Sequence, residues 1–201
     1  MARPLQVSDE EILQAAERIL AHKGLQDFSL AAVAREVGIT RAAITFRFEN
    51  VRALKISAVE RGIRRFASEM AAPGINRGGD GLLAIAGYIG GRIKSRTSLS
   101  NFMSHSQART RDDDLADLER QRGEIMQNAI HRAMPLHIPN RENAMKVFSA
   151  HLTGTLLAWA ASGEADGGAF AVRRTAMLLD IMGIPHSYDE AQQDLLRVKA
   201  D

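Results

Sequence analysis

The side chains of this sequence that could do chemistry are cations and hydroxyls on short helical stretches. Between Arg35 and Arg65 stand eight basic residues, Arg35, Arg41, Arg47, Arg52, Lys55, Arg61, Arg64 and Arg65, against three acids, Glu36, Glu49 and Glu60. Such a local surplus suits a polyanion, and nucleic acid is the commonest one. A solvated helix face would carry the same charges. Ser29, Thr40 and Thr45 lie in and around this run, with hydroxyls able to bond phosphates or base edges. Enzyme chemistry finds no comparable grouping. There is no Gly-x-Ser-x-Gly elbow, no phosphate-cradling glycine loop and no His-Glu-x-x-His. His131 and His137 are six apart with Pro135 between them, so they share no helical face. Asp112, Asp113 and Asp114 precede a helical pattern, where acids favour the positive end of the helix. No metal site, cofactor or catalytic residue is expected. The absence of cysteine excludes disulfides and thiolate ligands.

The elements that must position these side chains are helical throughout. Ser8-Asp9-Glu10-Glu11 is a capping box, and Ile12, Ala15, Ala16, Ile19 and Leu20 follow at helical spacing until Lys23-Gly24. Ser29 caps a short second helix with Leu30, Val33, Ala34 and Val37 as its buried stripe. Gly38-Ile39 makes a tight turn, and Thr40 caps a third helix from Arg41 to about Phe48, with Ile44 and Phe48 facing inward. Glu49-Asn50 ends that helix, and a long fourth one follows to Met70. Two short helices joined at a glycine over a third make a helix-turn-helix. Its second helix fits the major groove, with N-terminal residues nearest the base edges. Thr40, Arg41, Thr45 and Arg47 are placed on its outward side. A helical hairpin that binds nothing is the plainer alternative.

From Phe28-Ser29-Leu30 through Ala34-Arg35-Glu36-Val37-Gly38-Ile39-Thr40 to Ile44-Thr45-Phe46-Arg47-Phe48 and Ala53-Leu54, the chain resembles the N-terminal signature of the TetR family of repressors. The resemblance implies a homodimer, a double-stranded DNA operator with two-fold symmetry, and a C-terminal domain whose ligand reduces DNA affinity. The DNA-contacting residues it implies, taken with the pattern above, are Ser29, Thr40, Arg41, Ala42, Thr45, Phe46, Arg47, Arg52 and Lys55. Two positions depart from the signature: Thr45 replaces a tyrosine and Val51 a lysine, both phosphate contacts in the family. Arg52, Lys55 or the backbone amides at the start of the fourth helix are the candidates to replace the contact missing at Val51.

Beyond Pro73–Gly81, the clearest linker, further helices are expected over Leu82–Ile93, Ser95–Asp114 with an interruption, Leu115–Met134, Arg141–Ser162, Gly168–Met182 and Tyr188–Lys199. The fold class is all-α. A three-helix DNA-binding domain, residues 1–70 with the connecting helix, joins a larger helical domain, residues 71–201, for ligand binding and dimerisation. Related regulators dimerise through their last two long helices, which here offer Phe148, Gly154, Leu157, Ala158, Phe170, Met177 and Ile181. A small, largely apolar effector is expected among Tyr88, Phe102, Met103, His105, Met126, Ile130, Met134, Phe148, His151 and Trp159, with Ser104, His105, Ser106 and Gln107 as a polar rim. Met and aromatic residues at helical spacing are equally the makings of plain core. The rivals are a DNA-binding regulator controlled by a partner protein, and a helical enzyme. No membrane segment or signal peptide is visible, so the chain is expected to stay in the cytoplasm.

Overall fold

The computed structural model describes residues 7–24, 28–93, 95, 97–101, 103 and 112–189. Four helices come first: α1 Asp9–Lys23, α2 Leu30–Val37, α3 Arg41–Phe48 and α4 Val51–Met70. Then follow α5 Gly79–Arg92, α6 Asp113–Ala133, α7 Arg141–Ser162 and α8 Gly167–Ile181. Residues 97–101 are helical as well, and no strand occurs among the described residues. The all-α expectation holds, with α7 bounded where its pattern begins and ends.

Local chemistry sets these boundaries. At α1 the Glu11 amide donates to the Ser8 hydroxyl at 3.2 Å, and the Glu11 carboxylate accepts from the Ser8 amide at 2.7 Å. These bonds hold the Glu11 carboxyl below its ordinary pKa. Gly24 ends α1 with φ 75° but an extended ψ of −178°, rather than the left-handed cap expected. A side chain there would meet Asn101, whose amide donates to the Ala21 carbonyl at 2.9 Å. Gly163, at φ 80°, closes α7, and Gly183, at φ 66°, follows α8. The tail helix expected over Tyr188–Lys199 is not seen at Tyr188 or Asp189, which are not helical; the rest lies outside the described residues.

The contacts divide the chain into two compact units, Met1–Glu69 with Arg96–Gly123, and Met70–Ser95 with Glu124–Asp201. Ile12, Val33, Ile44, Leu54 and Ala58 are fully buried in the first. Leu82, Ile85, Ile130, Met134, Phe148 and Leu179 are fully buried in the second. There the principal packing is α5 on α8, with α7 on α8 next. The crossing of α5 and α8 depends on two glycines: a Cβ on Gly90 would lie 2.2 Å from the Gly167 carbonyl oxygen, and one on Gly167 2.8 Å from that of Gly90. Gly154, whose small size invites a helix, faces open space within the protomer. No helix among the described residues is long and apolar enough to cross a membrane.

Gly90→Ala should therefore push two backbones apart and lower stability by about 1–3 kcal/mol or more. Gly123→Ala, in a helix interior with nothing within 4 Å, should raise it by about 0.5–1 kcal/mol. Thermal denaturation of the two variants beside the parent checks both signs.

Candidate nucleic-acid interface

The first unit builds a helix pair on one sharp turn. Gly38 takes φ 72°, ψ 29°, a left-handed conformation that a side chain opposes. Its amide and that of Ile39 both end on the Ala34 carbonyl, Ile39 at 3.1 Å. Thr40 then opens α3 by accepting from the Ala43 amide at 3.1 Å, as Ser29 opens α2 by accepting from Ala32 at 3.2 Å. Each hydroxyl keeps its own proton for a phosphate. Ile44 is fully buried and Phe48 half-buried, so α3 is anchored along one side. Arg41, Ala42, Thr45 and Phe46 stand exposed on the other, Phe46 at 91%. The Thr45 hydroxyl donates to the Arg41 carbonyl at 3.1 Å.

The cations behave differently from the sequence surplus. Arg47, placed on the outer face by its spacing, is turned back: its guanidinium donates to the Val7 carbonyl and lies 3.3 Å from Asp9. Arg61 pairs with Glu10 and Glu17, and Arg65 with Glu17 at 3.1 Å. Arg18 lies 3.3 Å from Glu36. Acids outside the basic run thus neutralise much of it. Arg35 and Arg41 make no ion pair among the described residues.

The start of α4 carries the proposed replacements for the contact missing at Val51. Asn50 caps it, its Oδ1 accepting from the Ala53 amide at 2.9 Å. Arg52 is exposed and reaches Asp112 at 3.2 Å and Asp114 at 2.5 Å. These acids, Asp114 first, raise its pKa. Burial would raise the Asp112 carboxyl, but the Leu115 amide and Arg52 outweigh it and hold that carboxyl low. Lys55 is half-buried with its ammonium 5.8 Å from the centre of the Phe28 ring. Burial lowers its pKa, with Asp112 opposing. A phosphate on Arg52 must displace two carboxylates. Sequence reading misses these competitors: the run of three aspartates is visible, its partner about sixty residues away is not. Among the described residues no group of three His, Asp or Glu could hold a metal ion.

Residues 12–55 match the family model described as bacterial regulatory proteins, tetR family. The match covers the α1–α4 segment that carries the helix-turn-helix and stops short of the rest of the chain. The head is thus similar to the helix-turn-helix of bacterial regulatory proteins. No curated protein sequence matches the chain. Solved structures share the fold at low identity. One is a transcriptional regulator of Saccharomonospora viridis in complex with choline, 14% identical, TM-score 0.69, covering 89% of this chain and 97% of that one. A TetR regulator of Haloarcula marismortui is 16% identical at TM-score 0.66, covering 88% and 97%. The regulator FadR of Bacillus subtilis, in complex with stearoyl-CoA, is 13% identical at TM-score 0.60, covering 85% and 97%.

The expected effector residues divide between the units. Met103 is half-buried in the first. In the second, Ile130, Phe148 and Trp159 are buried, and Tyr88, Met126 and His151 half-buried. Phe102, His105 and the rim residues Ser104, Ser106 and Gln107 lie outside the described residues. His151 Nε2 sits 3.2 Å from the Thr175 hydroxyl and 3.3 Å from that of Thr155, and burial, then Arg174, lowers its pKa. An open hollow of about 340 Å³ in the same unit is lined by Arg77, Gly79, Leu136, His137, Ile184 and Pro185, none of them an expected effector residue. Of the expected dimer residues, Phe148 and Phe170 are buried inside the protomer, Ala158 is half-buried, and Gly154, Leu157, Met177 and Ile181 are exposed.

Asp114→Asn should remove the nearer of the two carboxylates on Arg52 and strengthen binding to cognate and random duplexes alike. The salt dependence should steepen by about 0.9 in log–log slope if one more phosphate is held. Arg41→Ala should instead lower cognate binding by roughly 1–3 kcal/mol and spare random DNA, as a base contact does. Fluorescence anisotropy titrations across a salt series distinguish the two.

Proposed function

We propose that this chain is a ligand-responsive repressor that binds a two-fold symmetric operator as a homodimer. Residues 1–70 contact DNA, and residues 71–201 bind the effector and dimerise. The observation that carries the DNA-binding part is the outer face of α3: four consecutive-turn residues stand in solvent on a helix whose other side is anchored. Packing against α2 holds that helix on its inner side, and Arg41, Ala42, Thr45 and Phe46 stay exposed on the other.

The dimer rests on the second unit's last two helices. Val147 and Leu157 on α7 and Met177 and Ile181 on α8 are large, apolar and exposed, Ile181 at 84%. Exposed apolar side chains gathered on neighbouring helices mark an interaction surface. A two-fold contact pairs such a surface with itself and matches the symmetry of a palindromic site. Gly154 lies between Val147 and Leu157 and leaves room for a second backbone.

The effector rests on one buried donor. Trp159 is 5% exposed, yet its indole Nε1 has no hydrogen-bond partner among the described residues. An unmet buried donor costs about 1–3 kcal/mol, which an arriving acceptor recovers. Buried Phe148 and half-buried Met126 lie in the same unit, so the reading is a small, largely apolar molecule with one accepting oxygen. The solved structures with choline and stearoyl-CoA show that this fold houses ligands of very different size in those proteins. The effector must prefer the state that binds DNA poorly, and DNA must then weaken effector binding by the same factor.

Gly154→Glu should yield monomers in sedimentation and a large loss of operator affinity without unfolding, since its Cβ meets nothing within 4 Å in the protomer. A thermal-shift screen, followed by operator titration with each hit, tests the effector. Trp159→Phe should keep the parent melting temperature within a few degrees and abolish the shift from hits that release DNA. Hits that stabilise the protein and leave operator affinity unchanged would favour control by a partner protein instead.

A further inference from the structure

We infer that Phe46 reads the 5-methyl group of thymine, and that the operator half-site is chosen by methyl contacts more than by hydrogen bonds. This rests on the DNA-binding reading above. On α3 the exposed residues are Arg41, Ala42, Thr45 and Phe46, at positions that share one side of a helix. Three of the four offer hydrocarbon. Ala42 has only its methyl. Thr45 has donated its hydroxyl hydrogen to the Arg41 carbonyl at 3.1 Å, leaving a methyl and an acceptor. Phe46 presents a whole ring at 91% exposure. Arg41 is the one side chain of this face that can donate to a base.

The chemistry of the groove then selects the occupant. In the major groove guanine, adenine and cytosine display acceptors and donors, whereas thymine alone adds a methyl group. An aromatic ring held there loses its water only against that methyl. Wedging between base pairs is the other use of an exposed ring, but it belongs to proteins of the minor groove, which an α-helix of this kind does not enter. Ala42 lies one turn before Phe46, so the two can line one methyl or two neighbouring ones along a strand.

The test uses the full chain and a duplex obtained by selection from random sequence. Each thymine of the preferred half-site is replaced in turn by deoxyuridine, which removes the methyl and keeps every hydrogen bond. The parent should lose about fourfold in affinity at one or two positions, the worth of one buried methyl. Phe46→Ala should bind the selected duplex more weakly, show no difference between thymine and uracil at those positions, and keep the parent's affinity and salt slope on random DNA. Cytosine at such a position should weaken binding, and 5-methylcytosine should restore about fourfold. The melting temperature of Phe46→Ala should match the parent, because the ring is in water. Equal affinity for thymine and uracil duplexes throughout, with selective binding intact, overturns the inference and leaves the DNA-binding reading standing. Failure to prefer any duplex over heparin would overturn that reading itself. A change of oligomeric state in Phe46→Ala, with unchanged base preference, would assign the ring to a contact between copies and overturn the inference as well.

Discussion

The geometry of the head depends on one backbone conformation, the left-handed turn at Gly38. Because that residue has no side chain, α2 can end with two amides on a single carbonyl and the chain can reverse within three residues. Thr40 is then in place to open α3. The direction of α3, and with it the set of side chains that meets solvent, follows from that turn. Burial of Val33 and Ile44 fixes the remaining freedom: an eight-residue helix is marginal alone and exists here because its inner side is packed. Glu49, at φ 61°, ends it in a conformation uncommon for a residue with a side chain, and Asn50 immediately opens the next helix.

Electrostatics tie this small unit together more than they charge its surface. Glu17 is largely buried and is shared by Arg61 and Arg65, joining α1 to α4, and Arg47 joins α3 to the start of α1. These cations are scaffold as much as binding surface. A tally of basic residues along the chain therefore overstates the positive potential offered to a polyanion, and the identity of the cations left over matters more than their number.

Much of the fold was legible because it is local. Caps, turn glycines and apolar stripes act over three to seven residues, so Ser8, Ser29, Gly38 and Thr40 announce their roles in the order in which they occur. The outward set on α3 was legible for the same reason, except Arg47, whose direction is decided by Val7 and Asp9 some forty residues earlier. What the sequence hid is non-local. Nothing in the periodicity of α5 and α8 marks Gly90 and Gly167 as the crossing point, since glycines elsewhere in those helices look alike. Asp112 and Asp114 read as helix-start acids, and Asp112 does cap α6 by accepting from the Leu115 amide at 3.3 Å. Its second role, on Arg52, needs the chain to fold back. The missing partner of the Trp159 indole is likewise a property of packing, not of pattern.

The exposed side of α3 has an evolutionary consequence. Arg41, Ala42, Thr45 and Phe46 neither cap a helix nor fill the core, while Thr40 and Ile44 do. Substitutions at the first four leave the folded state nearly untouched, because surface changes away from caps and cores cost little. On the DNA-binding reading, a duplicated copy of this gene can therefore acquire a new target by changing a few codons, each intermediate remaining a folded protein. The scaffold and the address it recognises are inherited on separate residues, and they can diverge at separate rates.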